Sequence, residues 1–121
     1  MEKRVLIVDD SESIREAVGF TLESAAYSVE KAIDGVDALE KLKASAFQLV
    51  ITDLHMPNMD GINLIKEIRA KEEYKFLPIL FLTTESQGTK KEEARNAGAT
   101  GWVVKPFVPE KLVSVVQKLI R

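Results

Sequence analysis

Short, continuous apolar runs alternate along this chain with longer stretches in which apolar residues recur at helical spacing. Val5-Leu6-Ile7-Val8, residues 47–52 around Leu49-Val50-Ile51, Ile79-Leu80-Phe81-Leu82 and Gly101-Trp102-Val103-Val104 are the continuous runs. Runs of this length and type predict strands buried on both faces. Residues 27–32 are partly polar and predict a strand nearer a sheet edge. Between the runs lie amphipathic segments. Ile14, Val18 and Leu22, with Ala17 and Thr21 beside them, follow the cap-forming Ser11-Glu12-Ser13. Val36, Leu39 and Leu42 follow Asp34, and Leu64, Ile65 and Ile68 follow Asp60-Gly61. Each group predicts a helix with a polar residue at its start. A polar helix over roughly 89–97 ends at Gly98, a suitable left-handed terminus. Leu112, Val113, Val116, Leu119 and Ile120, behind Pro109, predict the last helix.

Strands alternating with helices require crossover connections, and hence a parallel sheet with helices on both faces. The expected class is α/β, a doubly wound five-stranded parallel sheet with five helices. Such sheets bind ligands beyond the carboxyl ends of their strands, where the strand order reverses. The residues at those ends therefore matter most. The first run exits into Asp9-Asp10, the third into Asp53, the fourth into Thr83-Thr84 and the fifth into Lys105. Adjacent carboxylates where a buried strand surfaces repel one another, and a cation would relieve the repulsion.

Composition narrows the function classes. At 121 residues, a single domain over 1–121 is expected. There are 17 basic and 19 acidic side chains, a formal net charge of −2, so no basic excess exists to neutralise a nucleic-acid backbone. Cysteine is absent, which excludes disulfides and thiolate metal sites. The apolar runs are far shorter than the ~20 residues needed to cross a bilayer. Met1-Glu2-Lys3-Arg4 leads straight into the first strand, without room for a signal peptide. The expectation is a cytoplasmic monomer that binds neither nucleic acid nor membrane.

Val8-Asp9-Asp10-Ser11, the segment Thr52-Asp53-Leu54-His55-Met56-Pro57-Asn58-Met59-Asp60-Gly61, Thr83-Thr84-Glu85 and Lys105-Pro106-Phe107 together resemble the receiver domains of two-component response regulators, end to end. Among receivers, Thr83-Thr84-Glu85-Ser86 and residues 97–107 are most similar to the single-domain chemotaxis, or CheY-like, group. The resemblance implies a flavodoxin-like strand order 2-1-3-4-5. It implies that Asp53 is the nucleophile that becomes an aspartylphosphate; a carboxylate can accept a phosphoryl group as an acyl phosphate, which splits transfer into two steps. It implies Mg²⁺ held by Asp9, Asp10, Asp53 and the backbone carbonyl of His55. Magnesium favours hard oxygen ligands, commonly one or two carboxylates plus a phosphate. Lys105 would pair with a phosphoryl oxygen and Thr83 would hydrogen-bond another.

The resemblance also implies a switch. Thr83 would move toward the phosphate, and the aromatic residue before the lysine, here Trp102, would rotate inward behind it. An indole N–H can donate a hydrogen bond but cannot accept one. The polar helix after Thr83 has only Ala94 and Ala97 as small apolar contacts and suits a moving element. His55 and Glu85 would tune loss of the phosphoryl group by hydrolysis, and Lys105-Pro106 would be a cis peptide. Implied partners are a histidine kinase, CheA-like if the chemotaxis reading holds, a phosphorylation-dependent target such as the flagellar motor switch protein, and a phosphatase.

Taken singly, each residue has an ordinary explanation. Asp9-Asp10 could cap a helix, Asp53 could be a turn residue, Lys105 a solvated side chain and Trp102 a core residue. The His55 imidazole is expected to face solvent. The ordinary explanations fail jointly, because reactive types stand at four separate strand exits. Two other functions fit in part. A phosphorelay shuttle, passing its phosphate to a histidine phosphotransfer protein, would use the same residues. A Mg²⁺-dependent phosphatase of the haloacid dehalogenase type would carry an acid two residues beyond its nucleophile, where this chain has His55. The expectation is a signalling switch, not a dedicated metabolic enzyme.

Overall fold

The computed structural model describes residues 3–84 and 88–120. Strands β1 (Arg4–Val8), β2 (Ser28–Ala32), β3 (Leu49–Asp53), β4 (Ile79–Thr83) and β5 (Gly101–Val104) alternate with helices α1 (Glu12–Ser24), α2 (Gly35–Ala44), α3 (Gly61–Arg69), α4 (Gly88–Ala97) and α5 (Pro109–Leu119). Every strand pair is parallel, in the order β2-β1-β3-β4-β5. This is the flavodoxin-like order that the motifs implied. A short 3-10 turn at Glu72–Tyr74 has no counterpart in the periodicity. Among the described residues no helix is long and apolar enough to cross a membrane.

Successive strand side chains point to opposite faces, and the core divides accordingly. Leu6, Val8, Val50 and Phe81 pack with Ala38 and Leu42 of α2, Leu64, Ile65 and Ile68 of α3, and Ala94 of α4. Val5, Ile7, Leu49, Ile51, Leu80, Leu82 and Val103 pack with Val18 and Leu22 of α1 and Leu112 and Val116 of α5. β3 and β4 are buried throughout, as their unbroken apolar runs require. The edge strand β2 is only partly buried.

Polar caps fix where three helices begin. Ser11 Oγ accepts from Ile14 N at 3.3 Å, Asp34 Oδ1 from Asp37 N at 2.8 Å and Asp60 Oδ1 from Asn63 N at 2.8 Å. A cap of this kind stabilises its helix by about 1 kcal/mol. Val36 departs from expectation. It is half exposed, because α2 turns Gly35, Ala38 and Leu42 inward instead. α4 buries only Ala94, as its polar composition suggested. Gly98 closes it at φ +117°, and Ala99 N donates to Ala94 O at 3.0 Å.

α1 ends in the same way but with a less suitable residue. Ala26 N donates to Glu23 O and Tyr27 N to Leu22 O, both at 3.0 Å, and Ala26 has φ 73°. These are the two hydrogen bonds of a Schellman closure, in which glycine normally takes the left-handed position. A Cβ there is sterically costly. Ala26→Gly is expected to raise unfolding stability by about 0.5–1 kcal/mol, read by urea denaturation. A lower midpoint would contradict the strain.

Candidate active site at the strand ends

Strand register alone brings the reactive residues to one edge. Val8 is level with Thr52, so Asp9 and Asp53 emerge side by side. Asp53 is level with Leu82, which places Thr83 one step beyond, and Thr83 is level with Val104, which places Lys105 one step beyond that. Carboxylate oxygens of Asp9, Asp10 and Asp53 lie within 4.8 Å of one another. The Lys105 ammonium sits 3.0 Å from Asp53 Oδ1. Thr83 is fully buried, its hydroxyl donating to Thr84 O at 3.2 Å, and Lys105 N donates to Thr83 O at 2.6 Å. The Lys105-Pro106 peptide is cis.

The acids differ in environment. Asp10 is exposed, whereas Asp9 is 1% and Asp53 7% accessible. Asp53 Oδ1 accepts from Leu54 N at 2.8 Å, and Thr52 Oγ1 donates to Asp53 O at 2.8 Å. Asp9 Oδ1 accepts from Ser11 N at 2.9 Å, and Arg15 Nη1 donates to Asp9 O at 2.7 Å. Burial pushes the Asp9 carboxyl up to about 6; the Ser11 N–H and the Lys105 ammonium oppose this, while the charges of Asp53 and Asp10 add to it. Among the described residues, Asp9 Oδ2 is the buried side-chain oxygen left without a hydrogen-bond partner. A buried acceptor without a donor is costly, and a hard cation would satisfy it. The residues present therefore fit a small divalent ion.

The other residues singled out by sequence are distributed as follows. The His55 side chain is exposed on the loop after β3. Trp102 is 42% exposed, one strand over from Phe81. Glu85 and Ser86 lie outside the described residues.

Sequence reasoning missed the residues that hold the loop between β3 and α3. Asn58 adopts φ 68°, and its Nδ2 donates to Asp34 Oδ2 at 2.7 Å. Asp34, legible as a cap, thus also ties this loop to the start of α2. Ile33 N donates in turn to Asp37 Oδ2 at 3.0 Å. Hydrogen bonds, first from Asp37 N and then from Asn58, hold the Asp34 carboxyl below its usual range. Such a group adds stability above the unfolded carboxylate pKa of about 3.9 and loses it as pH falls through the lower folded value. Asp34→Ala is expected to cost about 1–2 kcal/mol near neutral pH, with the gap from the parent closing in acid. A gap that widened as pH fell would contradict the assignment. Gly61, quoted above only as a helix start, is the other missed element: its N–H donates to Leu54 O at 2.9 Å, against the end of β3.

A family model for the response regulator receiver domain matches residues 5–117. The chain belongs to the response regulator receiver family. Chemotaxis protein CheY-3 of Vibrio cholerae is 41% identical to this receiver over 121 residues, covering 96% of this chain and 93% of that protein. A solved structure of the chemotaxis response regulator CheY4 of Vibrio cholerae matches with TM-score 0.92 at 48% identity, covering 98% of this chain and 99% of that one. The receiver domain of a sensor histidine kinase from Pseudomonas aeruginosa, solved with a magnesium ion coordinated in its active site cleft, matches with TM-score 0.91 at 27% identity, covering 99% and 98%. These similarities make the chain a CheY-like receiver of two-component signalling.

Proposed function

We propose that this receiver accepts a phosphoryl group from a histidine kinase on Asp53 and thereby changes its affinity for a chemotaxis partner. The observation that carries the reading is the clustering of Asp53 with Asp9, Asp10 and Lys105 at one edge of the sheet. Asp9, Asp10, Asp53 and the His55 backbone carbonyl would hold Mg²⁺, the ion named in the Pseudomonas receiver. When bound, the ion offsets negative charge among the carboxylates and on the phosphoryl oxygens.

A carboxylate oxygen of Asp53 attacks phosphorus. The O–P bond forms as the N–P bond to the kinase histidine breaks, and the departing imidazole nitrogen regains a proton. Lys105 shifts from the carboxylate to a phosphoryl oxygen, acting as a compact positive charge. Thr83 donates its hydroxyl to another phosphoryl oxygen. The new group adds roughly −1.5 to −2 charges, and Thr83 and Lys105 are placed to respond. Trp102 follows Thr83 inward and alters the surface formed by α4, β5 and α5. The output is binding to the flagellar motor switch or a comparable phosphorylation-dependent target in the cytoplasm.

The test uses a phosphorylated CheA-type kinase domain as donor, with Mg²⁺. Transfer to the receiver, followed by phosphate-dependent binding to a motor switch protein, supports the proposal. Onward transfer to a histidine phosphotransfer protein without such binding would make the chain a relay shuttle. No transfer at all would refute both. His55, exposed on the loop after β3, and Glu85 would tune access of the hydrolytic water, as the family resemblance implies. His55→Ala is expected to change the decay rate of the phosphorylated protein several-fold and its formation rate little. Equal changes in both rates would remove His55 from this role.

A further inference from the structure

Trp102 makes two ring contacts. Its ring lies 6.1 Å from that of Phe81, tilted by 31°, and the Lys91 ammonium stands 5.7 Å from its centroid on the other element, α4. Lys91 is unusual for its helix. Its neighbours Lys90, Glu92 and Glu93 are exposed, whereas Lys91 is half-buried. Lys90 pairs with Glu93 at 3.3 Å, but among the described residues Lys91 has no carboxylate within ion-pair distance. Among the described residues, the contact of this ammonium is with the Trp102 ring.

Register defines where the ring could go. Phe81 is level with Trp102, and Thr83 is level with Val104. Phe81 and Thr83 are two residues apart on one strand, so their side chains share a face with Trp102. Inward rotation would carry the indole along that face, off Phe81 and toward Thr83. For the Lys91 contact to belong to the outward state alone, this path must also take the ring away from Lys91.

We propose that Lys91 is a latch: its cation–π contact with Trp102 favours the outward indole and so opposes activation. This rests on the reading of Trp102 as the switching aromatic. A contact made in one state only shifts the equilibrium by its full strength. A cation–π contact at a partly exposed site corresponds to about a two- to fivefold bias. Linkage makes the effect reciprocal: whatever favours the inward ring also tightens binding of a phosphoryl group at Asp53, by up to the same factor. The latch sits on α4, which buries only Ala94, and a weakly buried helix is suited to move with the ring. A partner that engaged Lys91 would release the ring and prime the receiver.

Trp102 is the only tryptophan in the chain, so intrinsic fluorescence reports this site alone. The experiment compares the parent with Lys91→Met, which keeps apolar length and removes charge, and Lys91→Arg, which keeps the charge. Acrylamide quenching is measured on the free proteins, followed by titration with beryllium trifluoride in Mg²⁺, a phosphoryl mimic. Lys91→Met is expected to reduce quenching of the free protein and to tighten binding of the mimic by about two- to fivefold. Lys91→Arg should match the parent in both. Unchanged quenching and affinity in Lys91→Met, or an arginine variant that behaves like the methionine one, would overturn the latch. If the mimic binds the parent without changing Trp102 quenching, the latch also falls. If the parent does not bind the mimic, the Asp53 reading fails, and the quenching of the free variants still decides whether Lys91 holds the ring.

Discussion

Asp53→Asn is expected to abolish base-labile phosphoryl incorporation from acetyl phosphate in Mg²⁺. The substitution preserves size and the acceptor for Leu54 N, now 2.8 Å from Oδ1. An amide oxygen is not a competent nucleophile toward phosphorus here, because the chemistry needs an ionised carboxylate. Loss of labelling would therefore report chemistry and not collapse of the site. A second consequence separates the two further. Asp53 is one of the charges that raise the Asp9 carboxyl, so its neutralisation removes like-charge repulsion from a buried cluster. The variant should unfold at equal or higher urea concentration than the parent while taking up no phosphate. Labelling that persisted would move the nucleophile elsewhere, with Asp9 the nearest alternative. Labelling lost together with stability would mean that the side chain is needed for folding.

Gly61→Ala should be the most damaging single-methyl change in the molecule. A Cβ at this position would lie 2.1 Å from Asp53 O and 2.8 Å from Leu54 Cα. Both are backbone atoms at the end of β3, so no flexible side chain can yield. The helix start would have to withdraw, breaking the hydrogen bond from Gly61 N to Leu54 O. Overpacking of this kind costs about 3 kcal/mol. Withdrawal would also displace the segment that carries Asp53, and a misplacement of about 1 Å can cost ~100-fold in rate. Urea denaturation and phosphoryl labelling should therefore both fall for Gly61→Ala. Full stability with normal labelling would show that the close approach has room to relax.

The contrast between these positions explains how far the chain could be read in advance. Asp9, Asp10, Asp53 and Lys105 were legible because they stand immediately after apolar runs, and parallel α/β architecture places all such exits on one edge. The sequence pattern also located β5 at its observed bounds and Asp34 as a cap, and it narrowed the other two helix starts to residues 11–13 and 60–61, where Ser11 and Asp60 are the caps. It placed the start of β3 too early: Phe47 is buried but precedes the strand, because burial and strand pairing are separate properties. It put Val36 on the inner face of α2, where glycine and alanine pack instead.

The contacts that periodicity does not reveal join separate elements of the fold. The bond from Asn58 to Asp34 spans 24 positions and depends on a left-handed backbone at Asn58. The hold of Lys91 on Trp102 depends on how α4 lies against β5. Neither leaves a periodic trace. A run such as Lys90-Lys91-Glu92-Glu93 reads as a solvated face, and only the packing separates Lys91 from its neighbours.

Asp9, Asp10 and Asp53 are clustered as one candidate divalent cation site at the strand ends. Manganese, which accepts the same oxygen ligands as magnesium and broadens nearby nuclear magnetic resonances, tests it most directly. Titrated into isotope-labelled protein, Mn²⁺ should first erase the amide signals of Asp9, Asp10, Ser11, Asp53, Leu54 and His55, and Mg²⁺ should restore them by competition. Broadening that began at Asp60 and Glu93, or spread evenly over the acidic surface, would contradict the account.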